Sequence, residues 1–430
     1  MKKCQYLEQF RSIMAKMATQ QLTQTPPTPC QSFDYDIAIV GGGLVGATLA
    51  SALKDSGLNI VLIEAQPPSI AVERRQAYAL SITSGRIFQE IGIWHKLLPQ
   101  IATYRHIYLA DAEHPGIVEF YPKDLGREDL GYVGKHRPIL TSLYEFLADC
   151  SHITWLCPAQ VVNIDYQPSA AKITVNIGGE NCQIQTRLVV AADGARSQIR
   201  TAAGIGTKGW KYWQSCITAI IKTEKPHHNT AFERFWPSGP MGILPLSENR
   251  CQIVWTAPHP EAKALQELDE QEFIKLLEYR TGGLLGHLEL EGDRLIFPVQ
   301  LMQSDRYISP RLALVGDAAH CCHPVGGQGL NLGIRDAAAL AQVLAKAHQA
   351  GEDVGAKTVL KRYENWRKKE NLVILGFTDF LNRIFSNNWL PLVAIRRLGL
   401  FILRRIPAVK IYALQLMTGL RGRLPQLAQR

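Results

Sequence analysis

The sequence predicts an α/β fold with a β-rich insertion and a helical tail, and three stretches carry that prediction. Residues 36–64 read as strand, glycine loop, helix and strand. Residues 210–256 alternate apolar and polar positions, the period of two expected of half-buried strands. Residues 312–336 return to an apolar strand, a glycine-rich loop and a helix.

The first stretch opens with apolar residues 37–40, then Gly41-Gly42-Gly43-Leu44-Val45-Gly46, a G-x-G-x-x-G that starts a helix running to about residue 56. Gly57 stops that helix, and a second apolar strand over 59–63 ends at Glu64. Gly41, Gly43 and Gly46 let a pyrophosphate approach the helix end, and an acid about 20 residues on reaches ribose hydroxyls. The loop alone is a weak signal; with its flanking strands and Glu64 it predicts a dinucleotide site.

The third stretch places Asp317 at the end of a strand, followed by Gly326, Gly327, Gly329 and Gly333 around Gln328 and Asn331. Glycines bring backbone close to a ligand, and a helix N-terminus presents unpaired N–H groups to negative charge. This suits a planar cofactor with a polyol chain that becomes negative on reduction. With both motifs on one chain, FAD is favoured over NAD.

The run GDAAH…HPVGGQGLNLGIRDA is similar to the second flavin motif of class A FAD-dependent aromatic hydroxylases. Residues 323–336 resemble the branch that acts on ubiquinone precursors, and the resemblance spans about 34–342. It implies a Rossmann-like FAD-binding domain with an inserted β-sheet substrate domain, the arrangement of para-hydroxybenzoate hydroxylase. It implies that Asp317 binds the ribityl chain, and that the backbone of Gly327, Gly329, Leu330 and Asn331 lies against the flavin ring.

Between the motifs, ERRQAYALSITSGR over 73–86 resembles the family's D-x-R-x-x-A-L segment. Aligned on Ala79-Leu80, it puts Arg74 where the Asp belongs and Gln76 where the Arg belongs, so Arg75, one residue away, is expected to take the cofactor contact. LGYVGKHR over 130–137 resembles a segment whose arginine faces the flavin, here Arg137, with His136 in place of the usual Asn. LVVAADGARSQIR over 188–200 resembles the family's DG motif, which sets Asp193 near the pyrophosphate; an Asp193–Arg200 salt bridge is the equal alternative.

The expected organisation is a disordered lead over 1–33, the FAD-binding domain over 34–205 and 306–350, a substrate domain over 206–305, and C-terminal helices over 351–430. In the substrate domain Phe235, Pro240, Met241 and Leu244 are candidate lining for an apolar ligand. No secretory apolar run or Cys/His metal spacing occurs, so a cytoplasmic protein with free thiols and no metal is expected.

The net charge of +9 lies entirely in the tail. From residue 380 onward there is no Asp or Glu but nine Lys or Arg. Arg396, Arg397, Arg404 and Arg405 fall on about half of a helix circumference, with Ile395, Leu398, Ile402, Leu403 and Ile406 mostly opposite. This predicts a helix lying on an anionic membrane surface, a peripheral placement. No recognition motif supports nucleic-acid binding.

No hydrolytic triad or carboxylate pair stands out, as expected when a cofactor carries the chemistry. The resemblance implies that NAD(P)H reduces FAD, and that one atom of O2 enters the ring of a phenol. With the tail, a polyprenylated phenol of ubiquinone or plastoquinone biosynthesis is the natural substrate, and other enzymes of that biosynthesis are candidate partners. A flavin-dependent prenyl-chain reductase and a non-catalytic flavin-binding scaffold are the competing classes.

Overall fold

The computed structural model describes residues 33–111 and 116–429. The expected lead over 1–33 lies outside the described residues apart from Phe33.

Five parallel strands form the heart of the first sheet. They are β1 (Phe33–Val40), β2 (Ile60–Ile63), β7 (Ile153–Leu156), β10 (Glu180–Ala191) and β16 (Leu312–Leu314), in the spatial order β16-β10-β1-β2-β7. β2 is buried along its whole length, which is why the sequence shows an unbroken apolar run rather than alternation. The helices α1 (Leu44–Ala52), α3 (His136–Ala148) and α6 (Gln328–Gln349) pack around these strands, α1 touching both others. An antiparallel hairpin, β8 (Gln160–Tyr166) and β9 (Ala171–Ile177), extends β10.

A second, mostly antiparallel sheet holds β11 (Thr207–Thr223), β12 (Thr230–Trp236), β13 (Gly239–Leu246), β14 (Arg250–Pro258) and β15 (Leu288–Ser304). Its order is β15-β11-β14-β13-β12, and it then takes two strands from earlier in the chain, β4 (His106–Asp111) and β5 (Ile117–Phe120). β4 runs parallel to β12, so the insertion is stitched to the first domain by backbone pairing as well as by its two connections. One face packs on α4 (His259–Glu267) and α5 (Glu270–Thr281) through Met241, Ile243, Trp255, Phe273 and Leu277. The other face looks toward the first domain.

A three-stranded sheet between the two includes β3 (Ala77–Ser81) and β6 (Gly131–Lys135), with α2 (Ile82–Ile91) following β3. The chain closes with α7 (Lys357–Phe385), α8 (Leu390–Arg405) and α9 (Pro407–Met417). Leu400 and Leu414 join Phe235, Phe385 and Val325 in a shared core, so this tail is packed on the body. No helix among the described residues is long and apolar enough to cross a membrane.

Candidate flavin site

A cleft of about 930 Å³ runs between the two sheets, and both glycine loops open onto it. Its lining includes Gly41, Gly43 and Glu64 from the first loop, Gly327, Gly329 and Leu330 from the second, and Asp193 and Asp317. The strand ends explain the convergence: β1, β2, β10 and β16 run the same way, so the loops after Val40, Ile63, Ala191 and Leu314 emerge on one edge.

At the first loop, a Cβ on Gly46 would sit 1.8 Å from the Gly41 carbonyl oxygen, so no other residue lets α1 start this close to β1. Gly43 faces open space instead, where a phosphate would need it. The Tyr144 hydroxyl on α3 donates to the Gly42 carbonyl at 2.9 Å and pins the loop. Glu64 accepts the N–H of Gly42 at 2.6 Å and that of Gln66 at 2.8 Å, which fixes the carboxylate at the cleft wall.

At the second loop, α6 begins behind Gly327, where a φ of +62° and the 2.8 Å at which an added Cβ would meet the Ala79 Cβ both demand glycine. No side chain caps this helix, so its first N–H groups are left for the cleft. Asn331 has a different task from its neighbours. Its carboxamide oxygen accepts from the Ser81 N–H and the Ser84 hydroxyl, and its nitrogen donates to the carbonyls of Ala79 and Gly327, all within 2.8 Å. All its bonds are spent on holding the loop against β3, and it offers a ligand only backbone.

Asp317 stands on the cleft floor, open to solvent yet surrounded by protein, and burial raises its carboxyl while His320 and Arg74 oppose the rise. Asp193 accepts the Ile199 N–H at 3.3 Å through one oxygen; its other oxygen is buried with no hydrogen-bond partner among the described residues. Arg200 does not pair with it: the guanidinium donates to the carbonyls of Ala318 and Ala195.

Two expected arginines are misplaced. Arg75 turns outward to pair with Asp293 at 2.7 Å on the surface, and Arg74 lines the cleft beside Asp317. Arg137 pairs with Glu73 and is half exposed; His136 is the residue of that segment that lines the cleft. Because its Nε2 meets the Ala71 carbonyl at 3.0 Å, that nitrogen must carry the proton, and Nδ1 accepts from the Tyr78 hydroxyl at 3.2 Å. Burial lowers His136 to about 4, so the ring is neutral near pH 7.

The second sheet contributes Thr218, Leu244, Val254 and Phe297 to the cleft. Leu244 is therefore in place. Met241 is not, because along β13 it has the opposite parity and packs on Phe273 with the outer helices. Phe235 stacks on Phe385 at 3.8 Å between ring centroids within the tail core. Pro240 is buried and does not line the cleft.

The profile of the FAD binding domain family matches residues 34–371 of this chain. The ubiquinone hydroxylase UbiL of Rhodospirillum rubrum is 36% identical over 378 residues, covering 87% of each chain. The chain belongs to this family of FAD-dependent monooxygenases. The 3-demethoxyubiquinol 3-hydroxylase of Escherichia coli is 33% identical, over 90% of this chain and 98% of that one. An uncharacterized protein of Synechocystis sp., slr1300, is 53% identical over 92% and 95%. Among solved structures, the p-nitrophenol 4-monooxygenase PnpA of Pseudomonas putida superposes with a TM-score of 0.77 at 19% identity, over 91% of this chain and all of that one, and shares the fold.

The cleft of this monooxygenase fits FAD on its own terms. An open Gly43, an uncapped α6 and a buried, partnerless Asp193 oxygen are features that packing alone does not explain. Bound FAD supplies electron transfer from NAD(P)H and activation of O2.

Proposed function

We propose that this monooxygenase hydroxylates the ring of a polyprenylated phenol, a precursor of ubiquinone or plastoquinone, using FAD, NAD(P)H and O2. One observation carries the reading: the flavin cleft continues onto the apolar face of the second sheet at Thr218, Leu244, Val254 and Phe297. A planar ring fits between that face and the Gly327–Leu330 loop, and relatives of similar length carry the names of ubiquinone hydroxylases.

In this reading Gly41, Gly43 and Gly46 hold the pyrophosphate, Glu64 the adenosine ribose, Asp193 and Asp317 the pyrophosphate and ribityl regions. Arg74 takes the place expected of Arg75. The α6 N-terminus places N–H groups where negative charge gathers on the flavin ring. Sheet residues Leu244, Val254 and Phe297 exclude water from the reacting ring.

The tail serves delivery. Arg397, Arg404 and Arg405 are exposed on α8, as are Ile395, Leu398, Phe401 and Ile406 beside them, with no acid from residue 380 onward. Basic and apolar side chains together suit an anionic membrane surface, where a prenylated substrate resides.

The deciding experiment is aerobic NAD(P)H oxidation by the FAD-loaded protein with 2-geranylphenol, followed by product mass. One oxygen added to the ring supports the hydroxylase. Hydrogens added to the prenyl chain would show a reductase, and no phenol-stimulated oxidation would leave a flavin-binding scaffold.

A further inference from the structure

The geometry points to Glu233 as the catalytic residue that accepts the phenol proton, a role that rests on the hydroxylase reading above. Four strands place it. Glu233 on β12 sits opposite Gly242 on β13, Gly242 opposite Val254 on β14, and Val254 opposite Thr218 on β11. Directly paired residues share one face of a sheet, and Val254 and Thr218 line the cleft. Glu233 therefore projects on the face that looks toward the first domain, the face of Val254 and Thr218.

Gly242 lets it lean inward. The position a Gly242 Cβ would occupy lies 3.6 Å from the Glu233 Oε2 and 3.8 Å from the Val254 Cβ, so the carboxyl crosses the glycine toward the cleft wall. From the other side the Gly326 N–H donates to the carboxyl, and Gly326 stands between the cleft residues Pro324 and Gly327. The carboxyl thus bridges the substrate sheet and the flavin loop, where a ring held between them would present its hydroxyl.

No cation quenches it. Among the described residues no cation acts on the Glu233 carboxyl, and Arg234, next on the strand, lies against Gly282. Cys216 on β11 is the titratable neighbour; burial, with a smaller contribution from Glu233, pushes its thiol up to about 12, so it stays neutral. Gly242, Val254 and Gly326 carry no ionisable side chain. Burial raises the Glu233 carboxyl to about 7, against the Gly326 N–H, which suits proton exchange near neutrality.

The step balances. The phenol O–H bond breaks, its proton passes to a Glu233 oxygen, and the electron pair stays on the phenolate oxygen. That charge spreads to the ortho and para carbons and prepares one of them to take the oxygen atom that O2 and NAD(P)H supply. When that carbon sheds its hydrogen as a proton to solvent, Glu233 returns its own to the ring oxygen and is regenerated.

Glu233→Gln separates this role from a structural one, because the amide oxygen still accepts the Gly326 N–H but cannot take a proton. With FAD-loaded full-length chain and 2-geranylphenol, wild-type hydroxylation should rise with pH through about 7. Phenol-independent NAD(P)H oxidation should lack that limb. Glu233→Gln should fold and retain FAD while product formation falls ~10²-fold and loses the limb, with hydrogen peroxide in place of product. A wild type without the acidic limb, or a Gln variant with wild-type product yield and profile, overturns the assignment. Flavin loss in Glu233→Ala beside a wild-type-like Gln variant would show a loop fastener only. If the wild type hydroxylates no phenol, the hydroxylase reading fails, and the assignment with it.

Discussion

The Arg367 guanidinium donates to the Asp336 carboxylate at 2.8 Å, with both side chains fully buried. The same carboxylate meets His320 at 2.5 Å, the Asn371 amide at 3.0 Å and the Gly316 N–H at 3.2 Å. This network ties α6 and α7 to the Gly316-Asp317 turn. Burial opposes the charge on Asp336, but His320 and Arg367 outweigh it and hold the carboxyl well below the usual carboxylate range. Asp336→Asn should cost ~3–5 kcal/mol, because Arg367 is left charged and unmatched, and chemical denaturation will measure it. The folded value lies below the unfolded one, so this stability is present above about pH 4 and fades as pH falls toward the folded value. The variant should lose less stability than wild type across that acidic range; parallel acid curves would show that the pair is not the source.

Removing the Asp317 carboxylate should release FAD without unfolding the chain. A hydrogen bond to a charged group contributes about 1.5–3 kcal/mol, roughly 10- to 100-fold in Kd. The ratio of flavin to protein absorbance in purified Asp317→Ala decides it, and full occupancy would remove the ribityl role.

Arg74 and Arg75 are neighbours with opposite expected behaviour. Arg74→Ala should weaken FAD binding about 10-fold, by the same charge argument. Arg75→Ala removes a surface pair with Asp293 and should change stability by no more than ~1 kcal/mol, leaving FAD affinity alone. Equal losses from both would refute the geometric distinction.

The tail prediction also turns on one arginine standing apart. Arg396 is buried and donates to Asp111 at 2.8 Å and to the Asn387 carbonyl at 2.7 Å, so it cannot serve a lipid surface. Replacing Arg397, Arg404 and Arg405 together by Glu should abolish flotation with phosphatidylglycerol vesicles at low salt, since each cation near such a surface contributes about 1 kcal/mol. Folding and FAD content should be unchanged. Arg396→Ala should instead lower thermal stability with the surface charge otherwise intact. Vesicle binding by the triple variant equal to wild type would end the membrane proposal.

The two glycine loops were legible because each motif is local: strand, turn and helix lie within some 30 contiguous residues, and hydrophobic pattern reports them directly. Side-chain direction was not. Arg137 holds its motif position and Arg75 lies one residue off its own, but Glu73 and Asp293, each from a distant part of the chain, turn them to the surface. Strand period showed that β12 and β13 alternate without saying which face meets the cofactor, so Leu244 was placed well and Met241 was not; Phe235 shares a face with Glu233, but Phe385 of the tail covers it. The helical pattern of α8 put Arg396 with the exposed arginines; Asp111, far back in the chain, claims it. Glu233 emerges only from cross-strand register, which no single stretch encodes.

The seat of the flavin is closed by the last segment to reach it. Gly333 on α6 packs so tightly on α1 that a Cβ there would lie 2.6 Å from Val45, and β16 completes the edge beside β10. During synthesis the first glycine loop emerges long before either arrives, so a nascent chain carries α1 with its apolar flank uncovered and half a binding site. Such long-range closure is slow and leaves sticky intermediates. Cofactor capture therefore waits until the α6 segment has been made and docked on α1.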